Sequence, residues 1–149
     1  MIKLGFAINN LGPSQLSYYL IKELNSLLKK RGDLDIIVFY ENIARPYIKP
    51  EFALMQMAEA WSYGGTVIAT DIAIAEKLLT FPAPTRKAFY IWDLEWLRKP
   101  RMFRELQPTY GHLELIARSN DHKEAIEGAW NRKVIGVVED FRGWECVGV

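Results

Sequence analysis

Asp93 lies in the stretch "YIWDLEWLRKPR", residues 90 to 101, just after an apolar run and between Trp92 and Trp96. A carboxylate set against an apolar wall is harder to ionise. That raises its pKa toward the range where it can take a proton from a hydroxyl. Asp93 is therefore a candidate general base, and Glu95, two residues on, a candidate ligand contact. A competing reading makes Asp93 the cap of a short helix and the tryptophans plain core.

A second group lies in "NNLGPSQ", residues 9 to 15, where Asn10, Gly12, Pro13, Ser14 and Gln15 fall between an alternating apolar segment and a helical pattern. The start of a helix presents unpaired backbone N–H groups and the positive end of the dipole, so such a loop can hold an anion or a hydroxyl. The loop has neither a G-x-G-x-x-G fingerprint nor a Walker lysine, so dinucleotide or ATP binding through those motifs is unsupported. Gly-Pro-Ser also makes a turn and caps a helix with no ligand at all. Arg118 and Ser119 follow a later apolar run and complete the polar shortlist.

Other chemistry finds little material. His112 and His122 fall on different expected elements and have no companion ligands, so no metal site is expected. No G-x-S-x-G elbow accompanies Ser119 and His122. Residues 86 to 104 carry six cationic side chains against Asp93 and Glu95. This local excess could meet a phosphate or a nucleic-acid backbone, although no DNA- or RNA-docking motif accompanies it and a solvated rim explains it equally.

These residues need elements to position them. Alternating or continuous apolar runs predict strands at 2–9, 35–40, 66–70, 87–92, 113–117 and 133–138. Helical spacing predicts helices from Ser14 to Gly32 and over 51–63, 71–81 and 119–131, the last with Ser119 as N-cap, and a short helix over 100–107. Strict alternation predicts an α/β, three-layer Rossmann-like domain: one unit over residues 1–149, with about six mostly parallel strands and helices on both faces. In such a sheet the ligand crevice lies beyond the carboxyl ends of the strands, where strand order reverses.

Composition bounds the rest. At 50% hydrophobic the 149 residues can bury one sizeable core. Nineteen Lys and Arg against eighteen Asp and Glu give no overall field to recruit nucleic acid or an anionic membrane. Cys146 is the only cysteine, which leaves no intrachain disulfide and fits a reducing compartment. With no signal-like start and no apolar run of membrane-spanning length, a cytoplasmic protein is expected.

The element order, with "NNLGPSQLSYYLIKEL", "GTVIATDIAIAEKLL", "FYIWDLEWL" and "LIARSNDHKEAIEGAWNRKVIGVVEDF", resembles the N-terminal Rossmann-like half of a GT-B glycosyltransferase. Phage enzymes that glucosylate modified DNA are similar in placing an acidic base after a mid-sheet strand of this half, a position that Asp93 matches. The resemblance implies glycosyl transfer from a nucleotide-sugar, with Asp93 as base toward the acceptor hydroxyl. Asn10, Gly12, Pro13, Ser14, Gln15 and Glu95 would line the ligand site, and Arg118 and Ser119 the interdomain edge. No other cofactor is implied. A GT-B enzyme binds its donor mainly through a second half that these 149 residues do not hold, so a homodimer or partner chain would have to supply it. The alternative is a binding or interaction module that kept the fold without catalysis.

Overall fold

The computed structural model describes all residues, 1–149, as one seven-stranded, fully parallel sheet between helical layers. The strands are β1 (Ile2–Leu11), β2 (Leu34–Ile43), β3 (Ala53–Gln56), β4 (Thr66–Ala69), β5 (Arg86–Ile91), β6 (Glu114–Ala117) and β7 (Gly136–Val137), in the spatial order β3-β2-β1-β4-β5-β6-β7. The helices are α1 (Gln15–Lys30), α2 (Ile72–Thr80), α3 (Glu95–Arg98), α4 (Phe103–His112) and α5 (Asn120–Trp130). The expected Rossmann-like α/β architecture is present.

Both faces of the sheet are buried, which is why the strands read as near-continuous apolar runs. Leu4, Phe6 and Ile8 of β1 and Tyr90 of β5 join Leu20, Ile21 and Leu24 of α1 on one face. Phe141, Trp144 and Val147 of the C-terminal segment complete that cluster. Ala7, Val67, Phe89, Ile91 and Leu115 face the other way, against Ile74 and Leu78 of α2, Leu106 and Tyr110 of α4 and Ile126 of α5. Right-handed crossovers require this split of α1 and α2 to opposite faces.

Small residues mark the places where large neighbours lean over the sheet. A Cβ at Gly65 would lie 2.7 Å from the backbone oxygen of Lys3 and 2.6 Å from its Cβ. Backbone atoms on a paired strand cannot step aside, so Gly65→Ala is expected to cost about 1–3 kcal/mol, the usual range for overpacking. Urea denaturation should show a lower midpoint with an unchanged slope.

Three expectations need correction. Residues 51–63 are not an α-helix: Ala53–Gln56 form β3, paired in parallel with Ile37–Tyr40 of β2, and Met57–Ser62 form a 3-10 helix. The apolar spacing there suited either state, and ladder hydrogen bonds to an available sheet edge decided it. The sheet accordingly has seven strands rather than six. The region after β5 is broken into α3, a 3-10 turn at Pro100–Met102 and α4, because Pro100 cannot continue α3. The last strand shortens to Gly136–Val137, though Ile135 and Val138 still donate to Leu115 and Ala117 on either side.

Candidate ligand-binding and active site

Strand order reverses between β1 and β4, which lie side by side while the chain continues outward from each. The loops leaving these two strands must diverge to reach helices on opposite faces, and a crevice opens between them. A cleft of about 690 Å³ occupies this place. Its walls come from Asn9 and Asn10 at the end of β1, Ser14 and Gln15 at the start of α1, Asp71 and Ile72 at the start of α2, and Trp92, Asp93 and Glu95 after β5. Arg98 and Lys99 close the lip.

Two carboxylates share the N-terminus of α2. Asp71 caps the helix, accepting from the Ile74 N–H at 2.9 Å, and reaches across to accept from the Asn9 N–H at 3.1 Å. Glu95 Oε1 stands 3.5 Å from the Ile72 N–H. Burial pushes the pKa of Asp71 up, against the pull of the N–H groups of Ile74, Asn9 and Ala73. Burial likewise pushes Glu95 up, and the neighbouring charges of Asp71 and Asp93 add to the shift. Like charges at one helix end resist joint ionisation, so a proton is held in this corner more readily than on an isolated carboxylate. Asp93 is differently placed: its side chain is 44% exposed and lies 3.6 Å from the Arg98 guanidinium. Asp71, Asp93 and Glu95 do not converge closely enough to hold a metal ion together.

The raised pKa of Glu95 has a consequence for stability. The folded state binds its proton more tightly than the unfolded chain, so ionisation of Glu95 destabilises the fold at neutral pH. Glu95→Gln is therefore expected to raise the melting temperature at pH 7. The advantage should shrink as pH falls through the raised pKa and vanish below the ordinary value of 4.5, where both states are protonated. Thermal melts of both proteins across that range check the sign.

The first loop is explained by local structure. Ser14 is the N-cap of α1, accepting from the Ser17 N–H at 3.1 Å and donating to Ser17 Oγ at 3.0 Å. Ser17 in turn donates to the Asn10 carbonyl and accepts from the Gly12 N–H. The turn is thus closed by its own serines. At Gly12 the two loops pass close together: a Cβ there would lie 3.2 Å from that of Ala44 in the next loop. Gly12 and Pro13 line a smaller depression, about 280 Å³, shared with Asn10, Ser14 and Asn42–Ala44. Asn10, Ser14 and Gln15 also face the main cleft.

Arg118 and Ser119 stand apart. Ser119 caps α5, accepting from the His122 N–H at 3.1 Å. Arg118 lies over the Trp92 ring at 3.6 Å and pairs with Asp140 at 3.6 Å. It buttresses the cleft wall from behind rather than lining it.

The basic stretch 86–104 divides. Arg86 pairs with Glu114 at 2.6 Å and Lys87 donates to the Leu79 carbonyl, both at the amino end of β5. Arg98 and Lys99 lie past its carboxyl end, after five residue steps of about 3.3 Å, or roughly 16 Å of strand. Sequence proximity alone had made one patch of two.

Asp71 is the residue that sequence reading underrated. It follows the third strand in "ATDIA", a strand-end position, and is not among the candidate site residues read from the sequence. Its second bond, across to β1, comes from the parallel register of β1 and β4, which no local pattern encodes. No helix is long and apolar enough to cross a membrane. Against protein-family models, curated proteins and solved structures alike, the chain has no match.

Proposed function

We propose that the switch-point cleft is the acceptor side of a glycosyl-transfer site, holding a neutral hydroxylated ligand. The observation that carries this reading is the pairing of Asp71 and Glu95 at one helix N-terminus inside an open polar cleft. The corner of α2 that would otherwise take a phosphate is already filled with carboxylate. Three carboxylates against the cations of Arg98 and Lys99 disfavour an anion in the floor. Hydroxyl groups, by contrast, donate well to carboxylates and to the amide oxygens of Asn10 and Gln15.

Glu95 is the better-placed base. Asp71 is tied to two backbone N–H groups, and Asp93 to Arg98. A carboxylate with a raised pKa is closer to the working pH and accepts a proton more effectively in the transition state. In the proposed step Glu95 takes the acceptor hydroxyl proton as that oxygen attacks the anomeric carbon of a nucleotide-sugar. The bond from that carbon to the nucleotide diphosphate breaks, and the diphosphate leaves with the bonding pair. Asp93 with Arg98 orients the acceptor, and the donor-binding half is supplied by a second copy or a partner chain.

One observation favours binding without catalysis: Ser14, Ser119 and Asp71 are all satisfied as helix caps. Turnover of UDP- and GDP-sugars, measured as released nucleotide with and without simple sugar acceptors, separates the readings. Transfer that is lost in Glu95→Gln and weakened in Asp93→Asn supports the enzyme. Sugar binding with no turnover in any variant supports the binding module.

A further inference from the structure

A second concavity of about 490 Å³ lies toward the carboxyl ends of β2 and β3, lined by Tyr40, Glu41, Gln56, Met57, Ala58, Trp61 and Phe81. It shares no residue with the switch-point cleft. Trp61 is 54% exposed, whereas Trp92, Trp96 and Trp144 are all buried. A large aromatic ring left in water beside a concavity is informative, because burying it would be favourable. Two neighbours keep Trp61 where it is. It sits on the 3-10 helix Met57–Ser62, and it meets Phe81 in a T-shaped contact at 5.4 Å. Such a contact covers at most one face of the indole, so a face remains for a ligand.

The polar groups around the ring narrow the chemistry. Glu41 is held at the mouth by Lys77 at 2.6 Å, and Gln56 offers an amide donor and acceptor. The pair has no net charge to recruit a phosphate, and the carboxylate's remaining lone pairs accept hydrogen bonds from hydroxyls. An apolar platform beside a fixed carboxylate and an amide suits a ligand with one apolar face and a rim of hydroxyls. We infer that this concavity is a pyranose-binding site in which Trp61 stacks on the C–H face of the ring and Glu41 and Gln56 bind its hydroxyls. A nucleoside would also stack, but it wants an aromatic on each face or edge donors and acceptors matched to its base, and the corner provides one open ring face. The inference rests on no part of the glycosyl-transfer reading.

The test is an NMR titration of the full chain with methyl α- and β-D-glucopyranoside, following the Trp61 indole N–H and, in every variant, the backbone amides of Glu41, Gln56 and Ala58, with adenosine as a parallel probe. The expected result is a saturable shift of that signal by a glucoside at roughly millimolar concentration, as an open one-sided site gives. Trp61→Ala and Gln56→Ala should each weaken binding at this site, the former by about tenfold or more, while Glu95→Gln leaves it unchanged. No saturable shift, a response confined to adenosine, or shifts of the Glu41, Gln56 and Ala58 amides that survive unweakened in Trp61→Ala overturn the inference. Trp61 is exposed, so its truncation leaves the core intact, and Trp61→Phe, which keeps a stacking face, should retain part of the affinity.

Discussion

Trp144→Ala is expected to lower the unfolding free energy by about 3–5 kcal/mol, the range for truncating a buried tryptophan. That is a large share of the roughly 5–15 kcal/mol by which domains of this size are stable. Trp144 is 3% exposed and meets Phe6 at 4.9 Å and Tyr90 at 5.1 Å, both edge-on, while its indole N–H donates to the Phe141 carbonyl at 2.9 Å. It closes the face of the sheet that α1 leaves open. It also holds a strained turn: Asp140 and Phe141 both have positive φ, at 48° and 65°. Such residues persist only where surrounding contacts over-determine them. Here those contacts are Trp144, the hydroxyl of Tyr90, which donates to the Val138 carbonyl and accepts from the Phe141 N–H, and the ion pair of Asp140 with Arg118. Chemical denaturation should show a lower midpoint in Trp144→Ala, while Trp61→Ala stays within about 0.5 kcal/mol of the parent, as surface changes do. Since Arg118 backs Trp92, the destabilised variant should also bind cleft ligands more weakly at temperatures where it remains folded.

Glu95→Gln carries the largest expected effect on function. Removing a positioned general base costs typically 10²–10⁴-fold, so under the proposed reaction transfer should fall by about that factor with acceptor binding little changed. Glutamine keeps the size of the side chain and its acceptor toward the Ile72 N–H but cannot take a proton. In the parent, activity should rise with pH as Glu95 loses its proton, with an inflection above the ordinary carboxylate range because burial and the charges of Asp71 and Asp93 hold that proton on. The variant should lose this inflection. Coupled with its higher melting temperature at pH 7, the loss would place Glu95 where function is kept at a cost in stability. Initial rates against pH for both proteins make the comparison.

The fold was largely legible in the residues, and the site only in part. Continuous apolar runs such as "DIIVFY" and "TVIAT" announce strands buried on both faces, and Ser14, Asp71 and Ser119 each start a helix at the place where a cap is needed. What failed was local ambiguity: "EFALMQ" carries apolar spacing compatible with helix or strand, and pairing with β2, a non-local contact, settled it. Several strand-end residues line one cleft because parallel sheets collect their carboxyl ends on one edge. The weighting among them was not legible. Asp93 drew attention by its tryptophan neighbours, but Trp92 and Trp96 pack in core clusters on opposite faces of the sheet, and the Asp93 side chain is half-exposed beside Arg98. Glu95, two residues further, reaches the α2 N-terminus and takes the perturbed environment. Which carboxylate meets which helix end depends on the β1, β4 and β5 register, and register is set across the whole sheet.

The sign of the cleft is the most direct thing to measure. An NMR titration of backbone amides in the Trp61→Ala protein, which removes the second concavity as a competing site, can be run with methyl glucosides and with inorganic phosphate. The expected result is that a glucoside shifts the amides of Asn10, Gln15, Ile72 and Trp92 together, that Glu95→Gln flattens the pH dependence of this binding with its affinity at neutral pH little changed, and that phosphate leaves these amides in place. Phosphate binding at the α2 N-terminus, with no response of those amides to any sugar, would contradict the account.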